Sequence, residues 1–229
     1  LGCCARSSMS PMRDGAAGWI ENGPFELAFA EAACHRWRAS NAFQMVRACK
    51  AAMAEAFDDK LASIIGKPSS QRPFVCNGLP ESCRVWVVGY NAATTGGDWW
   101  KYWTAETGFD YAAWRQSYDA ERAARGKGPS ATRLRIDRLA AAVPALLETN
   151  IYAEPSTSMA NMPIGTTKAF DLLLSEFRPE IIVAHGVDAG KHLADWSRGL
   201  LITCRHLSRA SYGEVDDVVE RILMASAAP

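Results

Sequence analysis

Four short polar clusters, each directly after an apolar run, carry the side chains best suited to chemistry in this 229-residue sequence. They are Gly89-Tyr90-Asn91-Ala92-Ala93-Thr94, Asn150-Ile151-Tyr152, His185-Gly186-Val187-Asp188 and Arg205-His206-Leu207-Ser208-Arg209. Amides and imidazoles both donate and accept hydrogen bonds, so Asn91, Asn150 and His206 suit a flat, hydrogen-bonding ligand. Singly, such residues are ordinary turn formers; their shared position at equivalent chain points is what indicates a site. His185 has two readings: a pocket residue, or a buried strand-end histidine satisfied by hydrogen bonds, with the second favoured. Asp188 reads as the first-turn charge of the helix that follows it.

Those clusters need a frame. Val85-Trp86-Val87-Val88, Leu146 to Ile151, Ile181-Ile182-Val183-Ala184 and Leu200-Leu201-Ile202-Thr203 are continuous apolar runs, as expected of strands covered on both faces of a parallel sheet. Phe170, Leu173, Leu174 and Phe177 recur at helical spacing before Pro179, and Val215, Val218, Val219 and Ile222 do the same. Ser211 with Glu214 three residues on forms a capping box for that last helix. Strand–helix alternation predicts a three-layer α/β/α domain around a central four-stranded parallel sheet. In such sheets ligands bind beyond the carboxyl ends of the strands, where the four clusters fall. A helix is expected over 42–57 and a loop over the Pro/Ser/Gly-rich stretch 66–80. Residues 1–18 read as a disordered or non-native start, and 19–229 as one domain with an N-terminal helical extension.

Composition narrows the function classes. Hydrophobic content of 48% and charged content of 22% are ordinary globular values. No apolar run approaches the roughly 18 residues of a membrane span, and no charged start precedes an apolar stretch. A cytoplasmic monomer without membrane attachment is expected. The seven cysteines are odd in number, irregularly spaced and contain no C-x-x-C pair, which argues for reduced thiols and against a metal or cofactor. Net charge is zero. Between Ala112 and Arg138, however, seven basic residues face three acidic ones around Gly126-Lys127-Gly128-Pro129-Ser130. That stretch suits phosphate contact or, more simply, a solvated helix face, and the second reading is the stronger.

Taken together, the four clusters resemble the motifs of the uracil-DNA glycosylase superfamily. Gly89-Tyr90-Asn91 resembles its first motif in the Gly-x-Asn-Pro form of the mismatch-specific and single-strand-selective branches. Glu148-Thr149-Asn150 resembles the mid-chain strand whose terminal asparagine reads the base edge. Ile181 to Gly186 resembles the third strand, and His206-Leu207-Ser208 the His-Pro-Ser motif. The resemblance spans roughly Arg84 to Ile222. Ala92 and Leu207 stand where the family has prolines, which implies a looser grip on the DNA backbone.

The resemblance implies a glycosylase that flips a deaminated base such as uracil out of single- or double-stranded DNA and hydrolyses its N-glycosidic bond. It assigns water positioning to Asn91, stabilisation of the leaving base to His206 and base reading to Asn150, with Gly89 and Tyr90 lining the pocket. Ser208, Arg209 and Arg205 would meet DNA phosphates beside the helix start near Ser211. Trp103, or Trp100 as second choice, would stack on the base, although clustered tryptophans also read as buried anchors. No cofactor is implied. Two alternatives stay open: a nucleic-acid or nucleotide binder of the same fold with weak or no catalysis, and an unrelated α/β enzyme. No Gly-x-Gly-x-x-Gly, P-loop or Gly-x-Ser-x-Gly motif supports the last.

Overall fold

A computed structural model describes residues 56–92, 97–143, 145–156 and 165–227. The chain divides into two units, Leu1–Ala48 and Cys49–Pro229, and every described residue belongs to the second. The expected start over 1–18 and most of the helix expected over 42–57 lie outside the described residues; positions 56–65 form helix α1.

All four apolar runs form strands, each slightly longer than the run itself. They are β2 (Val85–Ala92), β5 (Leu146–Pro155), β6 (Ile181–His185) and β7 (Leu200–Cys204), and they pair in parallel. The sheet differs from expectation at one edge. Phe74–Val75, inside the stretch read as a loop, forms β1 and pairs antiparallel with β5, giving five strands in the order β1-β5-β2-β6-β7. The sheet is therefore mixed rather than wholly parallel. A two-residue strand between Pro73 and Cys76 is too short to show periodicity. Trp103–Thr104 (β3) and Gly108–Phe109 (β4) make a separate small hairpin.

Helices cover both faces, in a three-layer arrangement. On one face Trp86, Val88, Leu147, Ile151, Ile182 and Ala184 join a cluster with α1, α2 (Tyr111–Ala124), α4 (Lys168–Glu176) and α5 (Val187–His192). On the other, Val85, Val87, Ile181, Val183 and Ile202 pack against α3 (Ala131–Ala142) and α6 (Tyr212–Ala227). Successive side chains in a strand point to opposite faces, so the two sets alternate by residue. Ser211 and Glu214 form the expected capping box: the Ser211 N–H donates to Glu214 Oε2 at 2.6 Å, and the Glu214 N–H to Ser211 Oγ at 3.1 Å. No helix among the described residues is long and apolar enough to cross a membrane.

Candidate functional site

The strand alternation decides which polar residues meet. Counting in twos from Val85 and Val87, Gly89 and Asn91 belong to the α3/α6 side of β2. The same rule places Glu148 and Asn150 there on β5, and His185 on β6. Gly89 pairs in register with Asn150. It also leaves room that no other residue would: a Cβ there would sit 2.6 Å from Asn150 Oδ1 and 2.9 Å from His185 Nε2. The first-cluster glycine thus lets the Asn150 amide and the His185 ring close over the middle of the sheet.

His206 reaches the same point from the loop between β7 and α6. Its ring meets that of His185 edge to face, with centroids 4.9 Å apart and planes at 80°. Gly186, at φ +93°, lies below it, and a Cβ there would come within 3.3 Å of His206 Cδ2. The Ser208 backbone N–H donates to His206 Nδ1 at 3.2 Å, and Ser208 Oγ lies 2.8 Å from the same atom. Nδ1 is therefore an acceptor, which places the ring proton of neutral His206 on Nε2. Burial and the nearby Arg209 lower the His206 pKa, favouring that neutral form. His185 is more strongly affected. Burial, reinforced by His206 and opposed by Glu148, pushes it down to about 4, so it is neutral at neutral pH. The Asn91 side-chain N–H donates to the Ser156 carbonyl at 3.3 Å, which fixes its amide and leaves Oδ1 as its acceptor side.

Two cavities meet at this cluster and share Asn91, His185 and His206 in their walls. The inner one, about 150 Å³, is also lined by Asn150, Glu148, Tyr118 and Arg133. Its volume is well below the roughly 300 Å³ of typical small-molecule clefts yet several times one water's share of the liquid, a size for a single ring. The outer cleft, about 1040 Å³, is lined by Tyr90, Gly186, Arg205, Ser208 and Arg209 among others. The structure thus gathers Asn91, Asn150 and His206 at the inner cavity, and Tyr90, Arg205, Ser208 and Arg209 at the outer cleft.

The tryptophans lie elsewhere. Trp100 and Trp103 are buried with Trp99 in the aromatic core and line neither cavity. Their indole N–H groups are already engaged, Trp103 with Asp58 at 2.6 Å and Trp100 with the Gly66 carbonyl at 2.7 Å. Base stacking is not open to them in this arrangement. The aromatic residue in the wall of the inner cavity is Tyr118 of α2, its ring stacked on Trp114 and approached by Arg122 and Arg133. The start of α6 is likewise less open to an anion than the sequence implied, because the Glu214 carboxylate already accepts from the Ser211 N–H.

Both readings of His185 meet in the structure: it is the buried last residue of β6 and it lines both cavities, its Nδ1 buried without a hydrogen-bond partner among the described residues. Arg133 and Glu148 form a buried ion pair at 2.5 Å, which Arg72 joins at 3.3 Å to Glu148. The basic stretch is mostly spent on the protein itself. Arg115 pairs with Asp119 and Asp137, and Arg138 with Asp216. Glu148 inside the Leu146 to Ile151 run was the available signal for the buried pair, since a charged residue in a strand covered on both faces requires a partner; the structure leaves it 6% exposed. Compared with known proteins, the chain matches no protein-family model and no curated relative.

Proposed function

We propose that the chain is a DNA glycosylase that hydrolyses the N-glycosidic bond of uracil or another deaminated base, as its resemblance to the uracil-DNA glycosylase superfamily implies. The observation that carries this reading is the convergence of Asn91, Asn150 and His206 on one ring-sized cavity at the carboxyl ends of the strands. The shared wall with the outer cleft supports a division of labour. The flipped base enters the inner cavity, while its sugar and phosphates occupy the cleft beside Ser208 and Arg209.

In this reading Asn91 Oδ1 accepts a hydrogen bond from the attacking water and orients it toward C1′. The C1′–N bond breaks, its electron pair leaves with the base, the water oxygen bonds to C1′, and the surplus water proton ends on the departing base. Negative charge develops on a carbonyl oxygen of the departing base, and the His206 Nε2–H donates to it. Neutral His206 keeps that donor on Nε2 while Nδ1 accepts from Ser208. Asn150 reads the base through its amide. Removing one such preorganised donor costs about 10²–10³-fold in rate.

The test uses single- and double-stranded oligonucleotides carrying uracil, hypoxanthine or xanthine, treated with alkali after incubation. Strand breaks that disappear with Asn91→Ala and His206→Ala support the proposal. Intact strands for every base and strand form refute it, and a gel shift without breaks identifies a binding protein of the same fold.

A further inference from the structure

The inner cavity carries a charge arrangement that the steps above do not use. Glu148 lies two residues before Asn150 on the same face of β5, between two guanidinium groups. Arg133 reaches its Oε2 and Arg72 its Oε1, with side-chain exposures of 4% and 14% for the arginines and 7% for Glu148. One buried and one partly buried cation share one buried anion. The histidines do not alter the count, since His185 is neutral and His206 is biased the same way. Arg122 lines the same cavity and adds a further positive charge, its Nε committed to the Gly128 carbonyl. Burying an uncompensated charge is costly, so a cavity with this wall is complete only with an anion in it.

The hydrogen-bond inventory points the same way. Arg133 Nε and Nη1, Asn150 Nδ2 and His185 Nδ1 are buried and have no hydrogen-bond partner among the described residues. The first three are donors, so their missing partners are acceptors, while His185 Nδ1 donates or accepts with its tautomer. The Arg133 guanidinium carbon lies 4.8 Å from the centre of the Trp114 ring and 5.6 Å from that of Tyr118. Two aromatic faces and Glu148 therefore fix its position before any ligand arrives.

We infer that the inner cavity selects a negatively charged, carbonyl-bearing ring, and that Arg133 is the residue that reads the charge. The inference rests on the reading of this cavity as a base pocket and names the class of base: a dioxo ring bearing an acidic substituent, ahead of its neutral parent and of amino-substituted rings. Amino groups are donors and would face the unpartnered donors of Arg133 and Asn150. An added carboxylate supplies both the missing charge and the missing acceptors.

Calorimetric titration of the full chain with free ligands, and no DNA, tests this. The probes are uracil-5-carboxylate, uracil-6-carboxylate, uracil, cytosine and inorganic phosphate. At least one carboxylated ring is expected to bind tenfold or more tightly than uracil, with cytosine and phosphate weaker still. Arg133→Met should remove that advantage, bringing the carboxylated ring to within about threefold of uracil, and Arg133→Lys should restore part of it. The ranking in the unsubstituted chain decides the matter even if Arg133→Met does not fold. Equal binding of uracil and both carboxylates, no binding at all, or a preference for cytosine overturns the inference. Phosphate binding as tight as the carboxylated rings overturns the assignment of a ring. A chain that ranks the ligands as expected yet leaves uracil DNA intact fails only the glycosylase proposal. Cleavage of uracil DNA without the charge preference fails only this inference.

Discussion

Gly89→Ala perturbs the site with a single carbon, and its consequences follow from distances. The added Cβ would fall 2.6 Å from Asn150 Oδ1, 2.9 Å from His185 Nε2 and 3.0 Å from His185 Cε1. Contacts near 3.5 Å are optimal, so each group must retreat by roughly 0.5–0.9 Å. Neither is free to do so. Both residues are buried at 6% exposure, and the His185 ring backs onto His206. Gly89 has no left-handed φ, so the cost is steric and falls on these side chains rather than on the backbone. Overpacking of this kind costs about 1–3 kcal/mol. A domain of this size loses roughly 2–4 °C of melting temperature per kcal/mol. If the chain is the proposed glycosylase, the same displacement moves the Asn150 amide by nearly 1 Å, enough for about a 10²-fold loss in rate. Thermal unfolding followed by circular dichroism and alkali-revealed cleavage of uracil oligonucleotides measure the two effects separately. A Gly89→Ala protein that melts with the parent and binds and cleaves as the parent does would show that the glycine is not there for clearance.

His185 is neutral in the fold with its pKa pushed down to about 4, against 6.5 when unfolded, so the unfolded chain binds the extra proton between those values. Its contribution is therefore complete above pH 6.5 and lost as pH falls toward 4, up to about 3 kcal/mol. Urea melts at pH 7 and pH 4.5 should show that loss, and His185→Gln should flatten it. Burial raises the Glu148 pKa, but Arg133 and Arg72 outweigh burial and hold it below 4.5. Its stabilisation is present above pH 4.5 and lost below the folded value. Glu148→Gln leaves one buried and one partly buried guanidinium group unpaired and should cost about 3–5 kcal/mol by denaturant titration at pH 7. Arg209 helps lower the His206 pKa. If neutral His206 is the active form, Arg209→Ala should move the acid limb of the pH–rate profile to higher pH, and an unmoved limb would separate His206 from the rate.

Strands β2, β6 and β7 were readable from their apolar runs, β5 from Leu146, Leu147 and Ile151 around Glu148-Thr149-Asn150, and the last helix because Ser211 and Glu214 announce its start. Asn91, Asn150 and His206 were readable as a group because parallel strands bring their carboxyl ends together, whatever the loops do. Edge strand β1 was not readable: two residues carry no period, and its pairing is set by β5. The tryptophans misled because an aromatic wedge and an aromatic anchor have the same composition; only their indole partners, Asp58 and the Gly66 carbonyl, separate the two. Arg72, Arg133 and Glu148 come from three separate segments, and an ion cluster assembled by tertiary packing leaves no spacing to detect. The pocket reading of His185 ranked second because the sequence does not show that glycine at position 89 clears a place for its ring.

The alternation that puts Gly89, Asn91, Glu148, Asn150 and His185 on one side of the sheet also limits how this protein can change. A substitution alters one tooth of the gauge. A single-residue insertion or deletion between Leu147 and Asn150 shifts all that follow by one position. Ile151 would then turn toward the cavity and Asn150 toward the aromatic core. Diversification of ligand choice is thus open to point changes along these strands and closed to changes in their length, which are confined to the connections beyond them.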